Sequence, residues 1–583
     1  MDKSGLLCVR RIIILLFLAL GLVSACSKAQ QVSPLIGTWE RISLSDAKGK
    51  VSQVPDSATF LIISDDGYFA QTTIPGGRPS LSKSLGEMTK EELLGRFQGL
   101  VARYGTYRTV KNIFIRSDLS HSDPAEEGGE QVQAFRIEGD LLILTDPAPG
   151  DKTEARFRRI KREVDAPPDP GKIVWLKANQ EPLRTIDPRD ADFKDLLPLK
   201  KLIGSSRVVM LGEQTHGDGA AFDAKTRLIR FLHEEMGFNV LAFESGLYDC
   251  EVGDTLLSQG KPAAEALDAS IFGIWAGGEK MLPLFDYLAA TKKTSRPIML
   301  TGFDIQFSSS AWTPSEFADR LMAGLESIDK DLAKEDTKQM LMRLAKALYG
   351  GNFEELTKEE RQSHGRKLAG LLDKVKSCIG DRNSRDNDFT LRLLLNLMAL
   401  EQFKSISLEQ GFSTETWDAS NLRDNSMADN LLWLLESRYR GEKIIAWAAS
   451  MHIARDVPAI DTKLPRLNYA RYRTMGQGVW DELKEQMYAI AFTAYDGAYG
   501  NPWSDAWALA PATAASLEGM FHATGVPLSF LDFRSLPADH WLREPMFSRP
   551  LGNAMIVAVW PRHFDAMIFT ETMYPNPRRA DLK

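Results

Sequence analysis

The feature that most constrains this chain is a change of hydrophobic period around residues 162–175, REVDAPPDPGKIVW. Before it, apolar residues alternate with polar ones in short segments. After it, they form unbroken runs separated by long stretches of helical spacing. A period of two belongs to strands with one face in the core, whereas continuous apolar runs belong to strands covered on both faces. One chain thus contains two kinds of sheet. Between them, Pro167, Pro168 and Pro170 fix three φ angles in close succession, which stiffens the chain and opposes regular structure. The domain boundary is placed there, in a Pro-rich linker over 164–175.

The region 34–163 reads as all-β. Its segments include SPLIGTWERISL, ATFLIISDDGYFAQT, GTYRTVKNIFI, QAFRIEGDLLILTD and ARFRRIKR, with turn signals at Asp65-Asp66-Gly67 and Gly139-Asp140. Several strands at this spacing imply a small antiparallel barrel or sandwich. Gly37-Thr38-Trp39 and the closing arginine-rich strand are similar to lipocalin-like families. That resemblance implies a barrel holding an apolar ligand, or one serving only as a spacer.

From 176 to 583 the runs RVVMLGE, NVLAFESG, RPIMLTGFD, KIIAWAASMH, MYAIAFTAYDG, AMIVAVW and DAMIFTE alternate with helical stretches. They predict an α/β domain with a mostly parallel sheet and helices on both faces. Residues 313–440 are helical in pattern throughout and read as a large α-helical insertion.

The first residues differ from the rest. Lys3, Arg10 and Arg11 precede the apolar run IIILLFLALGLV, which ends in VSAC. This is a secretory signal over 1–25, similar to that of bacterial lipoproteins, whose cysteine, here Cys26, is acylated. A polar tether over 26–33 follows. The implied location is the cell envelope, lipid-anchored at the outer membrane on its periplasmic face or surface. Of the four cysteines, Cys250 and Cys378 remain after Cys8 and Cys26 are accounted for. Whether they pair or stay free is left open. A net charge of −7 without a basic block excludes nucleic acid as the expected partner.

In an open α/β sheet, ligands bind beyond the carboxyl ends of the strands. Glu213 ends RVVMLGE, Glu244 ends NVLAFE, Asp304 ends IMLTGFD and His452 ends KIIAWAASMH. His216 follows Glu213 within GEQTHG, just before an amphipathic helix for which Asp218 is the expected N-cap and Gly217 and Gly219 supply turn freedom. Carboxylate and imidazole groups converging on one sheet edge suit general-base activation of water, with Glu213 or Glu244 orienting the His216 ring. The same set of Glu213, His216, Glu244 and His452 could ligate a divalent metal, although the spacing does not demand one and no cofactor is required. There is no G-x-S-x-G elbow, Walker loop or dinucleotide fingerprint. His233-Glu234-Glu235-Met236 begins like a zinc helix but reaches Gly237 where a second histidine would stand, and it reads as surface.

From about Asp187 to Thr572 the chain resembles the erythromycin esterase family. The likeness runs through GEQTHG, KTRLIRFLHEEMGFNVLAFESG, TGFDIQ, RDNSMADNLLWLL, WAASMHIARD, TMGQGV and FDAMIF. It implies hydrolysis of an ester or lactone by histidine-activated water, with His216 as base and Glu213, Glu244 and His452 in the same site. Lys225, Asp304 and Trp275 are assigned to substrate binding. Lys225 stands where the family has arginine, Ala449 and Gly478 where it has histidine. These departures touch the macrolide substrate of known members more than the hydrolytic core. The expected partners are a small-molecule ester or lactone and, through the lipid anchor, a membrane. The alternative is a non-catalytic envelope lipoprotein that binds an amphipathic ligand in a degenerate esterase pocket and the barrel.

Overall fold

The computed structural model describes residues 33–53, 57–75, 88–148, 150–160, 167–309, 311–349, 352–379, 385–411, 416–460, 462 and 468–582. The expected signal peptide, Cys26 and tether lie outside them. The chain separates into two compact units, Met1–Glu163 and Val164–Lys583.

The first unit contains strands β1 (Gly37–Ser45), β2 (Val51–Gln53), β3 (Ser57–Ile63), β4 (Tyr68–Pro75), β5 (Val101–Val110), β6 (Ile113–His121), β7 (Glu130–Glu138), β8 (Leu141–Thr145) and β9 (Glu154–Arg159). Each pairs antiparallel with its neighbour. The pairing of β1 with β9 closes a ring of eight, with β2 added beside β1, so this is a barrel rather than a sandwich. Closure removes the exposed edges that an open sheet would present. Gly67 takes the positive φ that the β3–β4 hairpin turn requires. An expectation of strands alone missed the helix Lys90–Phe97, where Thr89 and Glu92 form a reciprocal capping box.

The second unit carries β10 (Glu181–Pro182), β11 (Val208–Glu213), β12 (Phe238–Gly246), β13 (Met299–Asp304), β14 (Lys443–Ala449), β15 (Met487–Tyr499), β16 (Trp507–Leu509), β17 (Leu528–Asp532), β18 (Met546–Ser548), β19 (Ile556–Ala558) and β20 (Ala566–Met573). The main sheet has the order β10-β17-β20-β15-β11-β14-β12-β13. The six strands from β20 to β13 pair in parallel, while β17 and β10 at one edge and the short β16 pair antiparallel. Side chains alternate between two cores. Val208 and Met210 join one with Ile444 and Ala446, whereas Val209 and Leu211 join the other with Ile445 and Trp447. Helices lie on both faces. The insertion supplies Pro314–Ile328, Glu335–Tyr349, Lys358–Ile379, Arg385–Gln410 and Asp418–Trp433.

Two expectations are corrected. AMIVAVW contributes only β19, which pairs with β18 in a separate two-stranded ribbon, so apolar composition alone did not place it in the sheet. Pro170, expected within an irregular linker, starts the helix Pro170–Asn179, capped by Asp169, whose carboxylate accepts from Gly171 N at 2.7 Å. Proline at the first helical position sacrifices no hydrogen bond.

Because β11 is buried on both faces, Met210→Ala and Leu211→Ala are each expected to cost about 2–5 kcal/mol. Urea unfolding of both variants checks this. A strand with only one packed face would show a large loss at one position alone.

Candidate active site

Four adjacent strands, β11, β14, β12 and β13, bring Glu213, Ala449, Glu244 and Asp304 to their carboxyl ends. Glu213 is in register with Ala449, and Gly246 with Asp304. The Glu244 Oε2 accepts from Ala449 N at 2.9 Å, so the two glutamates flank one residue of the strand between them.

Glu213 has no solvent exposure and is surrounded by donors. Its Oε1 accepts from Trp275 Nε1 at 3.1 Å and lies 3.2 Å from His216 Nδ1. Its Oε2 is held by the Lys225 ammonium, which also donates to Ala448 O at 3.1 Å and sits 4.3 Å from the Trp447 ring centroid. The His216 ring meets Trp275 edge-on, with centroids 4.5 Å apart. One-third of the His216 side chain is exposed (33%), and no hydrogen-bond partner among the described residues takes its Nε2. The expected grouping of Glu213 and His216 is therefore present, with the ring fixed through one nitrogen and open at the other.

The GEQTHG turn owes its shape to close approach rather than to the turn freedom expected of its glycines. A Cβ on Gly217 would lie 2.6 Å from the Gly500 carbonyl carbon, and one on Gly219 would lie 2.3 Å from Pro575 O. Neither has a positive φ. Asp218 stands at the N-cap position, but its carboxylate turns back to accept from the backbone and hydroxyl of Thr215 and makes no cap bond. Burial pushes Asp218 up to about 7; the Thr215 bonds oppose this and the nearby Glu213 charge adds to it.

The second half of the site is a cationic frame. Arg423, on the helix Asp418–Trp433, donates from Nη2 to Asp304 Oδ2 at 2.6 Å and to Glu244 Oε1 at 2.9 Å. His452 places Nδ1 2.7 Å from Asp424 Oδ1 and Nε2 3.1 Å from Glu244 Oε1. Asp424 also accepts from Tyr472 Oη and from Met475 N, both at 2.9 Å. Burial lowers His452, but Asp424 and Glu244 outweigh it and raise the imidazole to about 10. Glu244 is raised by burial but held well below the usual carboxylate range by His452 and Arg423, with His216 contributing. Carboxylates at both ring nitrogens favour the protonated form of His452, and Arg423 Nη1 lies 3.3 Å from the same Nε2.

Several sequence expectations change. His452 does not end a strand: β14 stops at Ala449, and His452 lies on the short helix Ser450–Ile453, whose Ser450 hydroxyl donates to Gly212 O at 2.6 Å. Lys225, Trp275 and Asp304 are buried, with polar groups committed to protein partners, so they shape Glu213 and Arg423 rather than line open space. His233, read as surface, is buried, with Nδ1 2.7 Å from Tyr287 Oη and Nε2 2.9 Å from Arg296 O. Cys250 is buried and Cys378 exposed, and both are free. Among the described residues, no group of three or more His, Cys, Asp or Glu is arranged to hold a metal ion. Arg423, Asp424 and Tyr472 were missed. The only signal for Arg423 and Asp424 was their adjacency inside RDNSMADNLLWLL, which does not reach Tyr472.

The erythromycin esterase family model matches residues 233–573, more than half of the chain. The chain belongs to the erythromycin esterase family. The match begins after GEQTHG, which lies in the same compact unit of this family member. A putative hydrolase of Bacillus subtilis (strain 168), YbfO, is 28% identical over 419 residues, covering 69% of this chain and 91% of the relative. An erythromycin esterase type II of Escherichia coli is 24% identical over 404 residues, covering 63% and 89%. A Bacillus cereus protein of known structure shares the fold with a TM-score of 0.57 at 20% identity, covering 71% of this chain and all of that one. A mutant erythromycin esterase in its open conformation gives a TM-score of 0.52 at 16% identity, covering 68% and 98%. Gly478 leaves no room for a side chain: a Cβ there would lie 2.7 Å from that of Ala428.

The signs of the two shifted groups define a pH window. His452 is raised above its ordinary 6.5, so its stabilisation is complete below that pH and is lost as pH climbs through about 10. Glu244 is lowered below its ordinary 4.5, so its contribution is complete above that pH and is lost on acidification. NMR titration of the imidazole Cε1–H resonances is expected to place the His452 midpoint near 10 and to move it down in Asp424→Asn. An unmoved midpoint in the variant would contradict the pairing.

Proposed function

We propose that this protein is a cell-envelope lipoprotein, acylated at Cys26, whose α/β domain hydrolyses an ester or lactone by His216-activated water. The observation that carries the reading is the asymmetry of His216. One ring nitrogen is oriented by a sealed carboxylate, and the other is free on an exposed edge. That is the arrangement a general base needs to meet a water molecule.

In the proposed reaction His216 Nε2 takes a proton from water as the oxygen attacks the acyl carbon, and the developing imidazolium is met by Glu213. Lys225 is paired with Glu213, and Arg423 and His452 with Glu244, while Asp304 and Asp424 hold those two in turn. The oxyanion requires a cation that substrate can reach. Lys225 is fully sealed, whereas the side chains of Arg423 and His452 keep 18% and 13% exposure, which favours these two for that role. Collapse of the tetrahedral intermediate returns the proton to the leaving alcohol. No step requires a resident metal, because both nitrogens of His452 and the oxygens of Glu244 are already engaged by protein groups.

On an ester and lactone panel, His216→Asn is expected to lower turnover at least about a hundredfold while leaving thermal unfolding unchanged. Retained turnover would remove His216 from the mechanism. Exhaustive dialysis against a chelator is expected to leave the wild-type rate intact, and loss of rate with recovery on adding a divalent cation would replace the metal-free route.

A further inference from the structure

A tryptophan left in water forgoes the burial that its large indole would otherwise gain. Among the described residues of the α/β unit, the exposed large hydrophobic side chains are Val174, Leu197, Leu408, Trp503 and Trp507, and the two aromatic ones, 55% and 64% exposed, share the segment GNPWSDAWA over 500–508. That segment follows β15, whose carboxyl end lies beside that of β11, so it stands on the same edge of the sheet as His216. Gly500 N donates to the carbonyl of Gly217, the residue after His216, at 3.1 Å. Trp503 Nε1 donates to Gly273 O at 3.1 Å, at the start of the short helix Gly273–Ala276 that carries Trp275, the indole bonded to Glu213.

Both indoles are held in place although they are exposed. Trp503 N donates to Asn501 Oδ1 at 2.9 Å, Arg578 sits 4.5 Å from its ring centroid, and a Cβ on Gly277 would lie 2.7 Å from its Cζ2, so that glycine makes room for the indole. Trp507 lies on β16 in antiparallel register with Tyr499 at the end of β15, which puts the two side chains on one face of the ribbon. Rings ordered in advance lose little further freedom on binding. The face of an indole is negative and attracts positively polarised C–H groups, which a pyranose presents on its flatter side while its hydroxyls point outward around the rim. The neighbours suit those hydroxyls, since Asn501, Ser504 and Asp505 border the rings and the last two are exposed. A lipid surface is met by aromatic residues together with lysine and arginine. The segment carries Asp505 and no cation of its own, and the nearby Arg578 is drawn onto Trp503.

We propose that Trp503 and Trp507 are a stacking platform for sugar rings on the His216 edge of the sheet, and that the ester hydrolysed there is an O-acyl group on a carbohydrate. The platform stands on its own geometry, whereas the substrate class rests on the hydrolase reading. Water adds to the acyl carbon, the bond from that carbon to the sugar oxygen breaks, and the proton taken up by His216 passes to that oxygen, which releases the free acid and the sugar hydroxyl.

Calorimetric titration of the full-length protein with cellohexaose, chitohexaose and dihexanoylphosphatidylcholine tests the platform. Saturable binding of at least one hexasaccharide is expected, weakened about tenfold or more in Trp503→Ala and in Trp507→Ala. Trp503→Phe and Trp507→Phe keep a ring and are expected to retain binding, a rescue that separates stacking from loss of folding. Unaltered binding in both alanine variants, no saturable binding of either hexasaccharide, or binding of the phospholipid alone would overturn the proposal. With acetylated cellohexaose as substrate, the alanine variants are expected to raise KM about tenfold. Wild-type hydrolysis of ethyl acetate without hexasaccharide binding would leave the hydrolase reading standing and end this one. Hexasaccharide binding without turnover of either ester would keep the platform and end the hydrolase reading.

Discussion

The α/β domain is organised around the cost of burying Glu213. A carboxylate without solvent at the end of a central strand is tolerable only with a cation and donors in fixed positions. Lys225 supplies the charge from one turn inside the following helix, and Trp275 supplies a donor from across the edge. Those commitments hold the carboxylate still, and a still carboxylate holds His216. The backbone serves the same end, since the turn bearing His216 is pressed against Gly500 and Pro575 so closely that no side chain fits at Gly217 or Gly219.

Glu244 meets the same problem by a different route. Its neighbours Arg423 and His452 come from the helical insertion and from the turn after β14, so completing the site requires the insertion to be folded onto the sheet. Asp304 and Asp424 then lock the two cations from behind. Two carboxylates grip opposite nitrogens of His452, which raises its affinity for a second ring proton. The two histidines differ in partner number, with one carboxylate at His216 and two at His452.

What was legible in the sequence tracks how local the physics is. Apolar runs located β11, β12, β13, β14, β15 and β20 because double-faced burial leaves a continuous signature, and strand ends located Glu213, Glu244 and Asp304 because ligands gather where parallel strands stop. AMIVAVW carried that signature without a place in the sheet. His233 read as surface, and Lys225 as a substrate contact, because nothing in a linear pattern reveals that Tyr287 or Glu213 lies opposite. Arg423 and Asp424, adjacent polar residues in a long helix, were hidden for the same reason. Thr89 and Glu92, by contrast, spelled a local capping box, so that helix was readable and was overlooked.

The two units treat buried charge in different ways. In the α/β domain, Glu213 and Glu244 each have a protein cation within ion-pair distance. Inside the barrel, Arg116 donates to the amide oxygens of Gln71, Gln131 and Gln133, and Asp118, paired with Arg103, is the carboxylate that acts on its charge. The amides fix the direction of the guanidinium without adding further ions that would themselves have to be desolvated.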